Sequence, residues 1–141
     1  MSARPEAFLD TNVILYLLSA DTAKADRAEE LLTQGSTVSV QVLNEFASVA
    51  SRKFNMGWAE IQEVLDTVRA LCDVLPLRVE MHDSALALVR RHRFSFYDAL
   101  IVAAALSSGS RVLWSEDLQD GKRVGTQLTI RNPFAVRGAS R

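Results

Sequence analysis

Short apolar runs alternate with longer stretches in which apolar residues return every three or four positions. Short runs bounded by polar, Gly or Pro residues predict strands, and the three-to-four spacing predicts helices. The first run, residues 7–9, ends at Asp10, and a helical pattern over residues 12–19 follows at once. Asp21 or Thr22 suits the cap of a second helix with Ala28, Leu31 and Leu32 on its apolar side. Residues 37–40 alternate like a strand, and residues 41–53 form a helix with a stripe of Val42, Leu43, Phe46, Val49 and Ala50. At about 100° per residue, Glu45 lies on the flank of that stripe.

Asn55 and Gly57 break the chain before an amphipathic helix marked by Trp58, Ile61, Leu65, Val68 and Cys72. A short strand over residues 74–77, closed by Pro76, precedes a helix over residues 79–92 with Leu86 and Val89 among its inward residues. Residues 98–106 form a helix apolar nearly all round, which predicts burial between the sheet and other helices, with Gly109 ending it. Strands are expected at residues 111–114 and 127–130, with a turn at Gln119-Asp120-Gly121 between them. This alternation argues for an α/β fold with a parallel sheet covered by helices on both faces. Residues 1–141 are read as one domain with a frayed tail at residues 137–141.

Composition narrows the class only modestly. Apolar residues make up 48% of the chain and charged residues 23%, ordinary values for a globular protein. The early apolar run at residues 13–18 is far shorter than the roughly 20 residues a membrane helix needs. Glu6 and Asp10 stand where an export signal would want basic or apolar residues, so a cytoplasmic protein with no membrane association is expected. Cys72 is alone, which excludes a disulfide framework and a thiolate metal cluster. Net charge is −1, from 16 basic and 17 acidic residues, so a polyanion would have to be held by local patches. The densest is Arg90-Arg91-His92-Arg93, followed by Arg52-Lys53, Lys122-Arg123 and the C-terminal Arg131, Arg137 and Arg141.

The acids carry the chemistry. Asp10 and the Glu116-Asp117 pair each follow a predicted strand, Asp98 opens the most apolar helix, and Glu45 flanks a helix that itself follows a strand. Singly, Asp10, Asp98 and Asp117 could be helix caps, and Glu45 could pair on the surface with Arg52 or Lys53. Jointly, carboxylates brought together repel unless one takes up a proton or a cation intervenes. Oxygen ligands without Cys or His select Mg²⁺ or Mn²⁺ over zinc. No Gly-rich phosphate loop and no Cys/His metal spacing occurs. His82, Asp83 and Ser84 are neighbours on one helix and point about 100° apart, so they form no relay. His82 and His92 read as helix-surface or rim residues, and Trp58 and Trp114 as core.

Four segments, residues 8–13, 42–46, 94–101 and 113–118, together resemble the PIN-domain ribonucleases, most closely the VapC-type toxins of toxin–antitoxin pairs. The resemblance spans essentially the whole chain. It implies an α/β/α sandwich around a mostly parallel sheet of about five strands. It also implies a Mg²⁺- or Mn²⁺-dependent endoribonuclease that cleaves phosphodiester bonds with metal-activated water. Asp10, Glu45 and Asp98 match the family's three acidic positions, Asp117 the more variable fourth, and Asn12 and Ser115 its secondary polar positions. Asp10 and Asp98 would hold the main ion, Glu45 would contribute directly or through water, and Asp117 would orient a water or a second ion. Glu116 is expected to point away from that set. The implied partners are an RNA substrate, a cognate antitoxin protein and a second copy in a homodimer. The alternatives are a PIN-like binding module that cuts nothing, a housekeeping RNA-processing nuclease without an antitoxin, and a phosphatase using Asp10 as nucleophile.

Overall fold

Residues 6–135 are described by the computed structural model, so the expected frayed tail lies outside the described residues, as do Arg137 and Arg141. In chain order the strands are β1 (Ala7–Leu9), β2 (Ser36–Ser39), β3 (Cys72–Leu75), β4 (Val112–Trp114), β5 (Arg123–Val124) and β6 (Leu128–Arg131). The helices are α1 (Thr11–Leu15), continued by a 3-10 turn at Tyr16–Leu18, then α2 (Thr22–Thr33), α3 (Val40–Phe54), α4 (Trp58–Leu71), α5 (Val79–Arg91) and α6 (Phe96–Ser107).

The strands form one sheet in the order β3-β2-β1-β4-β6-β5, parallel except for the β5–β6 pair. The chain therefore moves outward from β1 through β2 to β3, then crosses back to β4 on β1's other side. Right-handed crossovers place the helices of the outward steps on one face and those of the return step on the other. Contacts agree: α3 packs on α1 and α4, whereas α5 packs chiefly on α6. The core lies on both faces of the sheet, with Phe8, Leu9, Leu113 and Ile130 from the strands and Phe46, Ile101 and Val102 from the helices all buried. Strand order reverses between β1 and β4, and in open α/β sheets the crevice at such a point, at the strands' carboxyl ends, is where ligands bind.

Most elements lie where their patterns predict, with informative departures. The sheet has six strands, not about five, because Arg123–Val124 pairs antiparallel with β6. Two residues are too short for alternation to register, and backbone pairing alone creates this strand. Cys72 begins β3 instead of ending α4, and the strand runs from Cys72 to Leu75, stopping before Pro76, which cannot donate to a ladder. Burial pushes its thiol up to about 11, so Cys72 acts as an inert small apolar group. Trp58 is not core: it opens α4 and is 67% exposed. Leu86 and Val89 face outward, and the buried stripe of α5 is Met81, Ala85 and Leu88. Small Ala85 sits on the side that packs against α6, itself rich in buried Ala99, Ala103, Ala104 and Ala105. Trp114 is buried, with the Arg27 guanidinium 5.1 Å from its ring centre.

Candidate functional site

Asp10 is the first residue beyond β1 and the N-cap of α1, so a strand end and a helix start fix its backbone together. Its Oδ1 accepts from the Thr11 backbone N–H at 2.7 Å, and its Oδ2 from the Ser115 hydroxyl at 2.8 Å and the Asn12 amide at 3.4 Å. The capping role and an outward-facing carboxylate are compatible, because an ionised carboxylate offers about four acceptor sites. Asp10 is only 6% exposed. Burial, opposed by the Ser115 and Thr11 hydrogen bonds and reinforced by the charges of Asp98 and Asp117, raises its pKa from 3.8 to about 6.

Ser115 is the hub of the second strand end. It is fully buried just past β4, and besides binding Asp10 its hydroxyl oxygen accepts from the backbone N–H groups of Asp117 and Leu118 and from Asn12. Asn12 in turn accepts from the Glu116 N–H at 3.2 Å, tying α1 to the loop after β4. Asp117, exposed, lines the pocket beside Asp10. Glu116 faces elsewhere: it accepts from the Tyr16 hydroxyl and lies 3.5 Å from the Lys24 ammonium.

The other two acids arrive on helices. A crossover helix that feeds a parallel strand must run antiparallel to it, so α6 begins at the carboxyl edge of the sheet. Ser95, not Asp98, caps α6 by accepting from the Asp98 N–H at 3.2 Å. This leaves the Asp98 side chain in the first turn, where the helix dipole favours negative charge. Helix α3 starts directly from the carboxyl end of β2 with Ser39 as its cap, which puts Glu45 in its second turn. Glu45 pairs with neither Arg52 nor Lys53. Its Oε1 accepts from the Thr11 hydroxyl at 2.6 Å and its Oε2 from Gln41 Nε2 at 3.0 Å.

Asp10, Glu45, Asp98 and Asp117 line one pocket of about 360 Å³, together with Thr11, Asn12, Leu15, Ser48, Val49 and Arg52. Thr11, which carries no assigned role within the first matching segment, and Gln41, which lies outside all four segments, both orient Glu45. Gln41 also donates to the Tyr97 carbonyl at 3.2 Å, joining α3 to the start of α6. The i,i+4 spacing of Gln41 and Glu45 is the one signal that marks the pair in sequence. His82 and His92 do not line the pocket and lie against Phe96 and Phe94.

The donor set suits a hard divalent cation. All four acids offer oxygen, and the charges of Asp98 and Asp117 add to the burial that raises the pKa of Asp10. Among the described residues no group of three His, Cys, Asp or Glu side chains is already arranged to hold a metal ion. The acids thus line one wall without forming a finished cage. None of the helices described is long and apolar enough to cross a membrane.

No curated protein matches the chain significantly. Solved structures do. A toxin–antitoxin complex from Klebsiella pneumoniae superposes with a TM-score of 0.69 at 17% identity, covering 92% of this chain and 99% of that one. VapBC2 from Rickettsia felis, bound to a DNA fragment from its promoter, gives 0.66 at 18% identity, covering 89% and 97%. Mycobacterium tuberculosis VapC20, a sarcin–ricin loop cleaving toxin, gives 0.63 at 21% identity, covering 79% and 91%. At these identities the likeness speaks for the fold. The PIN domain family model matches residues 7–124, a span that runs from β1 through β5 and holds all four pocket acids, and the chain belongs to the PIN domain family.

Proposed function

We propose that this PIN domain is a Mg²⁺- or Mn²⁺-dependent endoribonuclease acting as the toxin of a toxin–antitoxin pair in the cytoplasm. The observation that carries this reading is the shared pocket of four acids far apart in sequence, one of them nearly buried. Asp10 and Asp98 would hold the ion, with Glu45 contributing directly or through water and Asp117 orienting a water or a second ion. When bound, such an ion activates water and neutralises charge building on a phosphodiester. The protein's part is placement. Ser115 and Thr11 hold Asp10 in one orientation, and Thr11 and Gln41 do the same for Glu45.

The toxin assignment draws support from the solved structures that share the fold, among them a toxin–antitoxin complex and a sarcin–ricin loop cleaving toxin. On this reading a cognate antitoxin protein covers the pocket, and two copies of the chain form a homodimer. The deciding experiment is RNA cleavage by the wild type and Asp10→Asn, each with and without chelator. Wild type should cut only with Mg²⁺ or Mn²⁺. The variant should lose at least about 100-fold, beyond the roughly 10–100-fold typical of changes outside the ligand set. Chelator-resistant cleavage, or full cleavage by the variant, rules the reading out.

A further inference from the structure

Among the described residues that line the acidic pocket, Arg52 is the one cation. Glu45, Ser48 and Arg52 stand at i, i+3 and i+7 on α3, so they form one stripe along the pocket wall. Seven residues place Arg52 about 20° round from Glu45 and about 10 Å further along the helix. No carboxylate of the described residues lies within salt-bridge distance of the Arg52 guanidinium. Its Nε donates to Ser48 Oγ at 3.4 Å, which turns the group along the stripe. Helix-end electrostatics do not account for this placement: Lys53 serves the last turn of α3 equally, yet does not line the pocket.

An RNA strand entering four carboxylates meets repulsion, and the wall offers a single compensating charge. The guanidinium lies beyond salt-bridge distance of every carboxylate among the described residues, so it does not take an ion's place among the acids. It is well placed for the phosphate of a neighbouring nucleotide, which a guanidinium binds through two parallel hydrogen bonds. We infer that Arg52 holds a backbone phosphate flanking the bond to be cut and thereby sets the strand's path across the pocket. The inference rests on the ribonuclease reading and adds a substrate-positioning residue to it.

The test uses an Asp10→Asn background, which should bind RNA without cutting it, and a short mixed-sequence single-stranded RNA carrying a fluorophore. Binding is titrated by anisotropy across a range of salt concentrations. Adding Arg52→Ala should lower the slope of log affinity against log salt by about 0.7, the value for one phosphate contact on a single strand. Arg52→Lys should keep the slope, because the charge remains, while binding more weakly. Arg69→Ala, at a different pocket beside Cys72 and Asp73, should change neither slope nor affinity. Melting temperatures should match throughout, since Arg52 is exposed. An unchanged slope in Arg52→Ala, or an equal loss in Arg69→Ala, overturns the role of Arg52 and leaves the nuclease reading standing. Failure of the Asp10→Asn protein itself to bind RNA overturns both.

Discussion

The two strand ends at the reversal of the sheet make a matched pair that behaves differently. β1 ends directly in Asp10, buried and held by three donors. β4 ends in Ser115, and its acid, Asp117, comes two residues later and is exposed, anchored through its backbone. Both acids face the same pocket, and burial raises the pKa of Asp10 to about 6. Burial, not the presence of a carboxylate, sets how strongly a site demands an ion. A buried acid near two others is costly to ionise alone, whereas an exposed one is screened by water.

Neutralising each acid separately breaks this comparison most sharply. In chelator at neutral pH, Asp10→Asn should stabilise the protein by about 1–3 kcal/mol, measured by denaturant titration, since the desolvation and, to a lesser degree, the repulsion that raise the Asp10 pKa are relieved. The direction follows from proton counting. Asp10's folded pKa of about 6 exceeds its unfolded value of 3.8, so between these pH values the folded state keeps a proton that the unfolded state loses. Its unfavourable contribution therefore grows as pH rises from about 4 to 6 and is complete above 6. The advantage of Asp10→Asn should shrink through that window and vanish near pH 4. A constant advantage at all pH values would assign the effect to packing.

Mg²⁺ should act in the same direction on the unaltered protein, by a similar or smaller amount. An ion that binds only the folded state stabilises by about 2.7 kcal/mol at one hundred times its dissociation constant. Melting curves with increasing Mg²⁺ should climb for the wild type and stay flat for Asp98→Asn. Parallel climbs would mean that the ion binds elsewhere.

The last pair of substitutions separates Ser115 from Asp117 in the loop after β4, and the smaller effect falls on Asp117. Ser115→Ala removes a buried donor to Asp10 and the acceptor for two backbone N–H groups, and should cost about 1–3 kcal/mol. Asp117→Asn alters an exposed side chain and should stay within about 0.5 kcal/mol in chelator. Equal costs would mean that the loop is held by Asp117 and not by Ser115.

Much of this was legible in the linear chain because it depends on local chemistry. Apolar runs and three-to-four spacing locate five strands and six helices, since the periods of strand and helix differ and each must bury one side. The acids stand out because each follows or opens an element with a clear pattern. Where the pattern misled, a longer-range contact decided. Leu86 and Val89 fit a helical stripe, but packing on α6 selected Met81, Ala85 and Leu88. Trp58 is apolar, but the start of α4 leaves its ring in solvent. β5 exists only because β6 lies beside it.

The amino-acid order by itself determined which residues can be strand, helix or cap, and that four hard oxygen donors exist in positions suited to a sheet's edge. Only the tertiary structure decided that β4 returns to the side of β1 opposite β2, which brings Asp10, Glu45, Asp98 and Asp117 to one pocket from four separate segments. It also decided that Thr11 and Gln41 orient Glu45, and that Arg52 joins the pocket while Lys53 does not. The physical reason is range: propensity and periodicity act over one or two turns, whereas hydrogen bonds, desolvation and charge repulsion act between whichever groups the completed fold makes neighbours.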